Sequence, residues 1–237
     1  MYETYEECKA ALFADVDEKY NEFNNPIVNT TYKTYGVRTP VIKKLAKSVP
    51  MPFRDNVLNG FFQDKDMSYE TVLFAGCLAA RKGDYEKTRE YLKRIIPLFG
   101  SWAHVDCVIS CLDWVDKDSF LHDFEYLLSR DGQYEVRSYI IFLFECLSED
   151  RMDFVLDTLK NIKYGEYYVD MAAAWVLAEC LVKFYDKTLP LFTSATFPCF
   201  VHNKAIQKAR ESYRVPQNTK NYLNTLKIKT QINKPIV

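Results

Sequence analysis

From the first residues to about Leu226, apolar positions recur at spacings of three and four, the pattern of helices that bury one face. No segment shows the strict alternation of a half-buried strand, and the seven glycines and nine prolines mostly punctuate the periodic stretches. The pattern predicts helices near 2–23, 40–48, 52–62, 68–82, 84–96, 101–115, 118–129, 133–147, 150–161, 166–184, 187–194, 202–212 and 216–226. Thr39 ahead of Pro40, Ser101 and Asp118 are the expected N-caps. Their side-chain oxygens can accept from the backbone N–H groups that a helix start leaves free.

A repeat organises these helices. Gly100, Gly132 and Gly165 lie 32 and 33 residues apart, and each precedes a helix that opens on an aromatic residue. The segments GSWAHVDCVISCL, GQYEVRSYIIFLFECL and GEYYVDMAAAWVLAECL each place a charged residue after a valine and end in Cys-Leu. Asp106, Arg137 and Asp170 are thereby predicted at equivalent places on three neighbouring helices. A period in the low thirties with two helices per unit matches an all-α curved solenoid, in which the second helices line one concave surface. An irregular helical bundle is the alternative. The expected domain is single and spans residues 1–237.

Composition narrows the class. At 48% apolar and 27% charged residues the 237-residue chain is an ordinary globular one, long enough to fold as a monomer without a partner. No stretch approaches the roughly 18 apolar residues of a membrane span, and the acidic opening has the wrong charge for a signal peptide. The expected location is cytoplasmic. Seven cysteines, an odd number mostly inside apolar helical runs, read as reduced core thiols. His104, Cys107 and Cys111 resemble part of a metal site, but Cys-x-x-x-Cys without a second ligand pair does not make one, and no metal or cofactor is expected.

The net charge of −1 hides an asymmetry. Residues 201–237 carry eight basic side chains, Lys204, Lys208, Arg210, Arg214, Lys220, Lys227, Lys229 and Lys234, against Glu211 alone, leaving the first 200 residues at −8. The basic end is either a phosphate-contacting surface or a solvated terminal helix pair.

Trp102 and Asp106, four residues apart, share one helix face, whereas His104 points elsewhere and cannot be oriented by Asp106. A local His-Asp base is therefore excluded, and a hydrolase using Cys107 or Cys111 lacks a base at supporting spacing. Tyr168, Met171, Ala172, Trp175 and Glu179 form a stripe at helical spacing, a pattern that more often marks core, as expected for Trp114.

Taken in order, Tyr35-Gly36-Val37-Arg38-Thr39-Pro40, Ser101-Trp102 through Asp106, the Val136-Arg137 helix, the Ala174-Trp175 helix and Asn203 through Ser212 resemble the AlkD-type DNA alkylation repair family of HEAT-like-repeat proteins. The resemblance covers about residues 10–226. It implies a DNA glycosylase that excises positively charged N3- or N7-alkylated purines from duplex DNA without flipping the base and without a cofactor. The matching residues are Asp106, Trp102 and Trp175 for the reaction and Arg137 near the DNA backbone, with Lys204, Lys208, Arg210 and Arg214 as further phosphate contacts.

The chemistry is coherent. A cationic base leaves readily, so the catalyst must chiefly stabilise the developing sugar cation. A carboxylate at about 4 Å, with an effective dielectric near 20, supplies roughly 4 kcal/mol, or about a thousandfold in rate. Asp170 departs from the basic residue common in the family at that place, and with the acidic body it supports an alternative: a non-catalytic solenoid that binds nucleic acid or a protein partner.

Overall fold

The computed structural model describes residues 2–229, so Lys234 of the basic end lies outside the described residues. The chain divides into two compact units, Met1–Tyr139 and Ile140–Val237.

The first unit contains α1 (Tyr5–Phe13), α2 (Glu18–Val28), α3 (Thr39–Ser48), α4 (Arg54–Phe61), α5 (Tyr69–Ala79), α6 (Tyr85–Ile95), α7 (Trp102–Ile109), α8 (Lys117–Phe124) and most of α9 (Gln133–Phe142). The helix expected over 2–23 is interrupted. Asp17 adopts an extended backbone and its carboxylate accepts from Tyr20 N–H, which starts α2 afresh after α1 has ended at Ala14. Ser101 caps α7 as expected, but Asp116 rather than Asp118 caps α8, accepting from Ser119 N–H at 2.9 Å. Thr39 is already helical, with Arg38 at the N-cap. The 118–129 and 133–147 helices end in 3₁₀ turns at Glu125–Ser129 and Leu143–Cys146.

Helix α5 organises this unit, packing against α3, α4, α6 and α7. Every residue of α5 is buried. Side chains such as Val72, Leu73, Phe74 and Leu78 each contribute about 1.5–3 kcal/mol by leaving water, as an upper bound. Two buried charges on this layer are bonded to their surroundings. Arg54 donates to Thr88 Oγ1 at 2.8 Å and to the Ala79 carbonyl, at the end of α5. Glu70 Oε1 accepts from the N–H groups of Tyr35 and Gly36 at 2.7 and 2.8 Å, pinning the loop before α3. Gly36 has φ +83°, and a Cβ there would lie 2.3 Å from the Asp17 carbonyl oxygen, so only glycine fits.

The second unit contains α10 (Met152–Asn161), α11 (Tyr167–Lys183), α12 (Tyr185–Thr193), α13 (Cys199–Glu211) and α14 (Gln217–Thr225). The long α11 lies against α12 and α13, and α13 against α14. Ala172, Ala173, Ala174 and Ala178 on α11 are all buried, small enough to let α13 approach closely. The described residues are all-α, as the spacing predicts, and none of their helices is long and apolar enough to cross a membrane.

Candidate functional site

In the first unit the structure brings together Asp106 and Arg137, one repeat apart on α7 and α9. The guanidinium forks onto the carboxylate, Nε donating to Oδ1 at 3.0 Å and Nη2 to Oδ2 at 2.9 Å. The pair is asymmetric in exposure, with 18% of the Asp106 side chain open against 5% for Arg137. Arg137, expected near the DNA backbone, thus turns into the helix layer rather than out to solvent. Two parallel hydrogen bonds fix the carboxylate in direction. Each oxygen keeps a further lone pair able to accept from water at the open edge.

Trp102 opens α7 on the same face as Asp106. It is half-buried, and its Nε1–H donates to the Ile27 carbonyl at the end of α2, 3.0 Å away. Ser101, the N-cap before it, donates its hydroxyl to the neighbouring Val28 carbonyl at 2.6 Å while accepting from Ala103 N–H. The start of α7 is therefore clamped to the end of α2, which fixes where the indole sits. His104 faces the opposite way and is wholly buried. Its Nδ1 accepts from Gly100 N–H at 3.2 Å, so Nε2 carries the proton and donates to the Tyr69 carbonyl at 2.9 Å. Burial lowers its pKa to about 4. A histidine so engaged is a neutral core residue, unavailable as ligand or base. Among the described residues no group of three or more His, Cys, Asp or Glu side chains is placed to hold a metal ion.

In the second unit Trp175 is 48% exposed and meets Phe144 edge-to-face, with ring centroids 5.2 Å apart. Tyr167, 58% exposed, contacts Phe200 on α13. The predicted stripe is thus core only in part: Ala172 is buried, while Trp175 presents an open indole face. Glu179, one turn further, is gripped by Arg214 through two bonds of 2.9 and 2.6 Å and by Lys183, so the neighbouring guanidinium and ammonium hold its carboxyl below the usual carboxylate range. Trp114 is half-buried and donates to the Ala80 carbonyl at 3.0 Å.

Asp170 behaves unlike its counterparts in the repeat. It is 9% exposed, and Oδ1 accepts from Gly165 N–H at 3.0 Å, so the carboxylate turns back onto the start of its own helix. Burial raises its pKa. Gly165, at φ +123°, makes the turn that allows this bond. The charge that the sequence placed where it could repel a phosphate therefore has a local structural partner.

The basic end is also engaged. Lys208 pairs with Glu211 at 2.9 Å, Arg210 donates to Asn224 Oδ1 at 2.7 Å, Arg214 forks onto Glu179, and Lys204 donates to Gln207 Oε1 at 3.1 Å. Lys208 and Arg214 remain exposed, while Lys204 and Arg210 are half-buried.

The Asp106–Arg137 pair was not anticipated, although opposite charges one repeat apart on adjacent helices were the signal for it. No curated protein and no solved structure gives a match to this chain. Residues 8–186, about three quarters of the sequence, match the family described as DNA alkylation repair enzyme, and the chain belongs to that family.

Proposed function

We propose that this protein excises positively charged alkylated purines, N3- or N7-alkylated, from duplex DNA by stabilising the sugar cation as the base departs. Membership of a DNA alkylation repair family supports a DNA repair role. The observation that carries the finer reading is Asp106: a partly open carboxylate, fixed in direction by a buried guanidinium on the same helix face as Trp102. A preorganised negative charge needs no rearrangement when positive charge develops opposite it, and its remaining lone pairs can orient the attacking water. Arg137 acts in this scheme as a positioning residue for Asp106. Trp102 supplies an aromatic face for the cationic base, worth about 0.5–2 kcal/mol. Trp175 is assigned to the reaction by the family resemblance, and its exposure leaves an indole face open to a ligand. Lys204, Lys208, Arg210 and Arg214 supply phosphate contacts by exchanging their present partners.

The test is release of free methylpurine from methylated duplex DNA, measured well below the melting temperature of each variant. Wild-type protein should exceed the spontaneous rate, Asp106→Asn should lose about a hundredfold or more, and Trp175→Ala should lose activity with little change in melting. The involvement of Asp106 in an ion pair with a buried arginine favours a second reading, a scaffold that binds nucleic acid without cleaving it. Salt-sensitive duplex binding with no release by the wild type would establish that alternative and end the glycosylase proposal.

A further inference from the structure

On the first unit a cleft of about 470 Å³ is lined by residues of α3, the end of α5 and the chain at and just beyond the end of α7. Lys43 and Lys47, one turn apart on α3, and Lys82 line it together with Asp113 and Trp114. Among the described residues none of these three lysines is ion-paired; Lys43 reaches only the Ser110 hydroxyl, at 3.4 Å. Arg81, also at the cleft, is occupied by the Ala46 and Val49 carbonyls at the end of α3. The cleft is therefore cationic despite Asp113.

Two thiols line the same cleft, Cys77 from α5 and Cys111 just beyond α7, where Cys111 Sγ donates to the Cys107 carbonyl at 3.3 Å. Their closeness follows from the backbone: a Cβ on Gly76 would sit 2.5 Å from Val108 Cγ2, so α5 and α7 touch at the residues beside this pair. Both thiols are free; Cys77 is 3% exposed and Cys111 is half-buried. We propose that this cleft is a thiol–disulfide exchange site for anionic low-molecular-weight disulfides, with Cys111 as the attacking thiol and Cys77 as the resolving one.

The steps balance. The Cys111 thiolate attacks one sulfur of the disulfide, forming a mixed disulfide and expelling the other half as a thiolate. Cys77 then attacks the Cys111 sulfur, giving the Cys77–Cys111 disulfide and releasing the second half as a thiol; the protein dithiol is oxidised and the small disulfide reduced. The lysines attract the carboxylates of the incoming disulfide. The Cys77 thiol first, then Lys43 and Lys47, favour the Cys111 thiolate against burial, Asp113 and the Cys107 carbonyl that its sulfur contacts, and the balance lowers its pKa. Cys77 is pushed well up by the Cys111 thiol and by burial, and Cys107, nearby on α7, is pushed up by burial. Both therefore stay protonated beside a reactive neighbour. Resolution would tie α5 to the helix that carries Trp102 and Asp106.

With its thiolate favoured by the groups around it and its sulfur more open than that of Cys77, Cys111 should react several-fold faster at pH 6 than an unperturbed cysteine. Reduced wild-type protein is incubated with oxidised glutathione, or with uncharged 2-hydroxyethyl disulfide, and quenched in acid for peptide mass mapping. The expected result is a Cys77–Cys111 crosslink as the first product, with a rate that has already risen below pH 8. Cys77→Ser should accumulate the mixed disulfide on Cys111. In Lys43→Gln/Lys47→Gln, shown folded by circular dichroism, the preference for the anionic reagent should fall several-fold. First modification at another cysteine, a rate rising only above pH 8, or an unchanged anionic preference in the lysine variant would each overturn the proposal. The wild-type mapping depends on no variant.

Discussion

A double-mutant cycle on Asp106 and Arg137 tests the central geometry. With hydrogen bonds of 2.9 and 3.0 Å the charge centres lie about 4 Å apart, which at an effective dielectric near 20 corresponds to roughly 4 kcal/mol of attraction. Part of this is screened at the Asp106 edge, where 18% of the side chain meets solvent, so about 2–3 kcal/mol of coupling is expected. The two single variants should differ. Arg137→Met keeps most of the side-chain volume and leaves a carboxylate that can rehydrate at its open edge, costing about 2 kcal/mol. Asp106→Asn leaves a charged guanidinium, only 5% exposed, facing a neutral amide, and should cost about 3 kcal/mol. The double variant should lie well short of the sum. In a chain of this length 1 kcal/mol moves the melting temperature by about 2–4 °C, so the Asn variant should melt about 10 °C early. Denaturant titration and calorimetry read both quantities. Additivity within about 0.5 kcal/mol, or a costlier Arg137→Met, would refute the reasoning. An Asp106 facing an open cleft without a partner would leave melting nearly unchanged on conversion to Asn. The ion pair gives Asp106 a part in stability, so under the proposed mechanism activity must be compared among variants known to be folded.

Two further outcomes follow from buried groups. His104 has a folded pKa of about 4 against about 6.5 unfolded, so its contribution to stability is fully present above pH 6.5 and is lost as pH falls from there toward 4. That loss, on the order of 3 kcal/mol, should appear in pH-dependent melting and shrink in His104→Gln; an unchanged slope in the variant would show that another group sets it. Gly36→Ala should destabilise by about 3 kcal/mol, because the new methyl meets the Asp17 carbonyl oxygen at a backbone angle that alanine resists, and a melting curve matching the wild type would contradict this.

The helices were legible in the sequence because burial imposes a period that needs no partner to be seen. Boundaries were less so where two acids competed for one cap: Asp116 and Asp118 both precede the apolar run, and only the backbone decides which side chain reaches an N–H group. The α1–α2 break was hidden because apolar spacing continues through it, although Asp17 was the cue. The polar contacts were legible only as a period. Asp106–Arg137 spans 31 residues, Arg54–Thr88 and Trp114–Ala80 34 each, and His104–Tyr69, Glu70–Tyr35 and Arg214–Glu179 35 each. A repeat of about that length was read from three glycines, yet its consequence, that side chains one repeat apart meet, was applied to register alone and not to pairing. Opposite charges at equivalent places on adjacent helices attract; three like charges there would have been the better sign of a shared ligand surface.

The same reasoning revises how the charge asymmetry bears on DNA. The basic end is not a set of idle cations: Arg214 and Lys208 rest on Glu179 and Glu211, and Arg210 and Lys204 on neutral amides. The exposed Lys208–Glu211 pair is worth at most about 1 kcal/mol, so a phosphate can displace it and return Glu211 to water, whereas Arg214 is forked onto a Glu179 that is 18% exposed and also held by Lys183. The net affinity from this segment must therefore fall below what its formal charge suggests. In compensation, Asp170 is withdrawn onto Gly165 N–H, and the negative charge of Asp106 faces Arg137. The acidic residues at the repeat positions are thus tied up locally as well, and on the proposed reading the surface potential offered to a duplex is set by which pairs exchange rather than by the count of charges on either side.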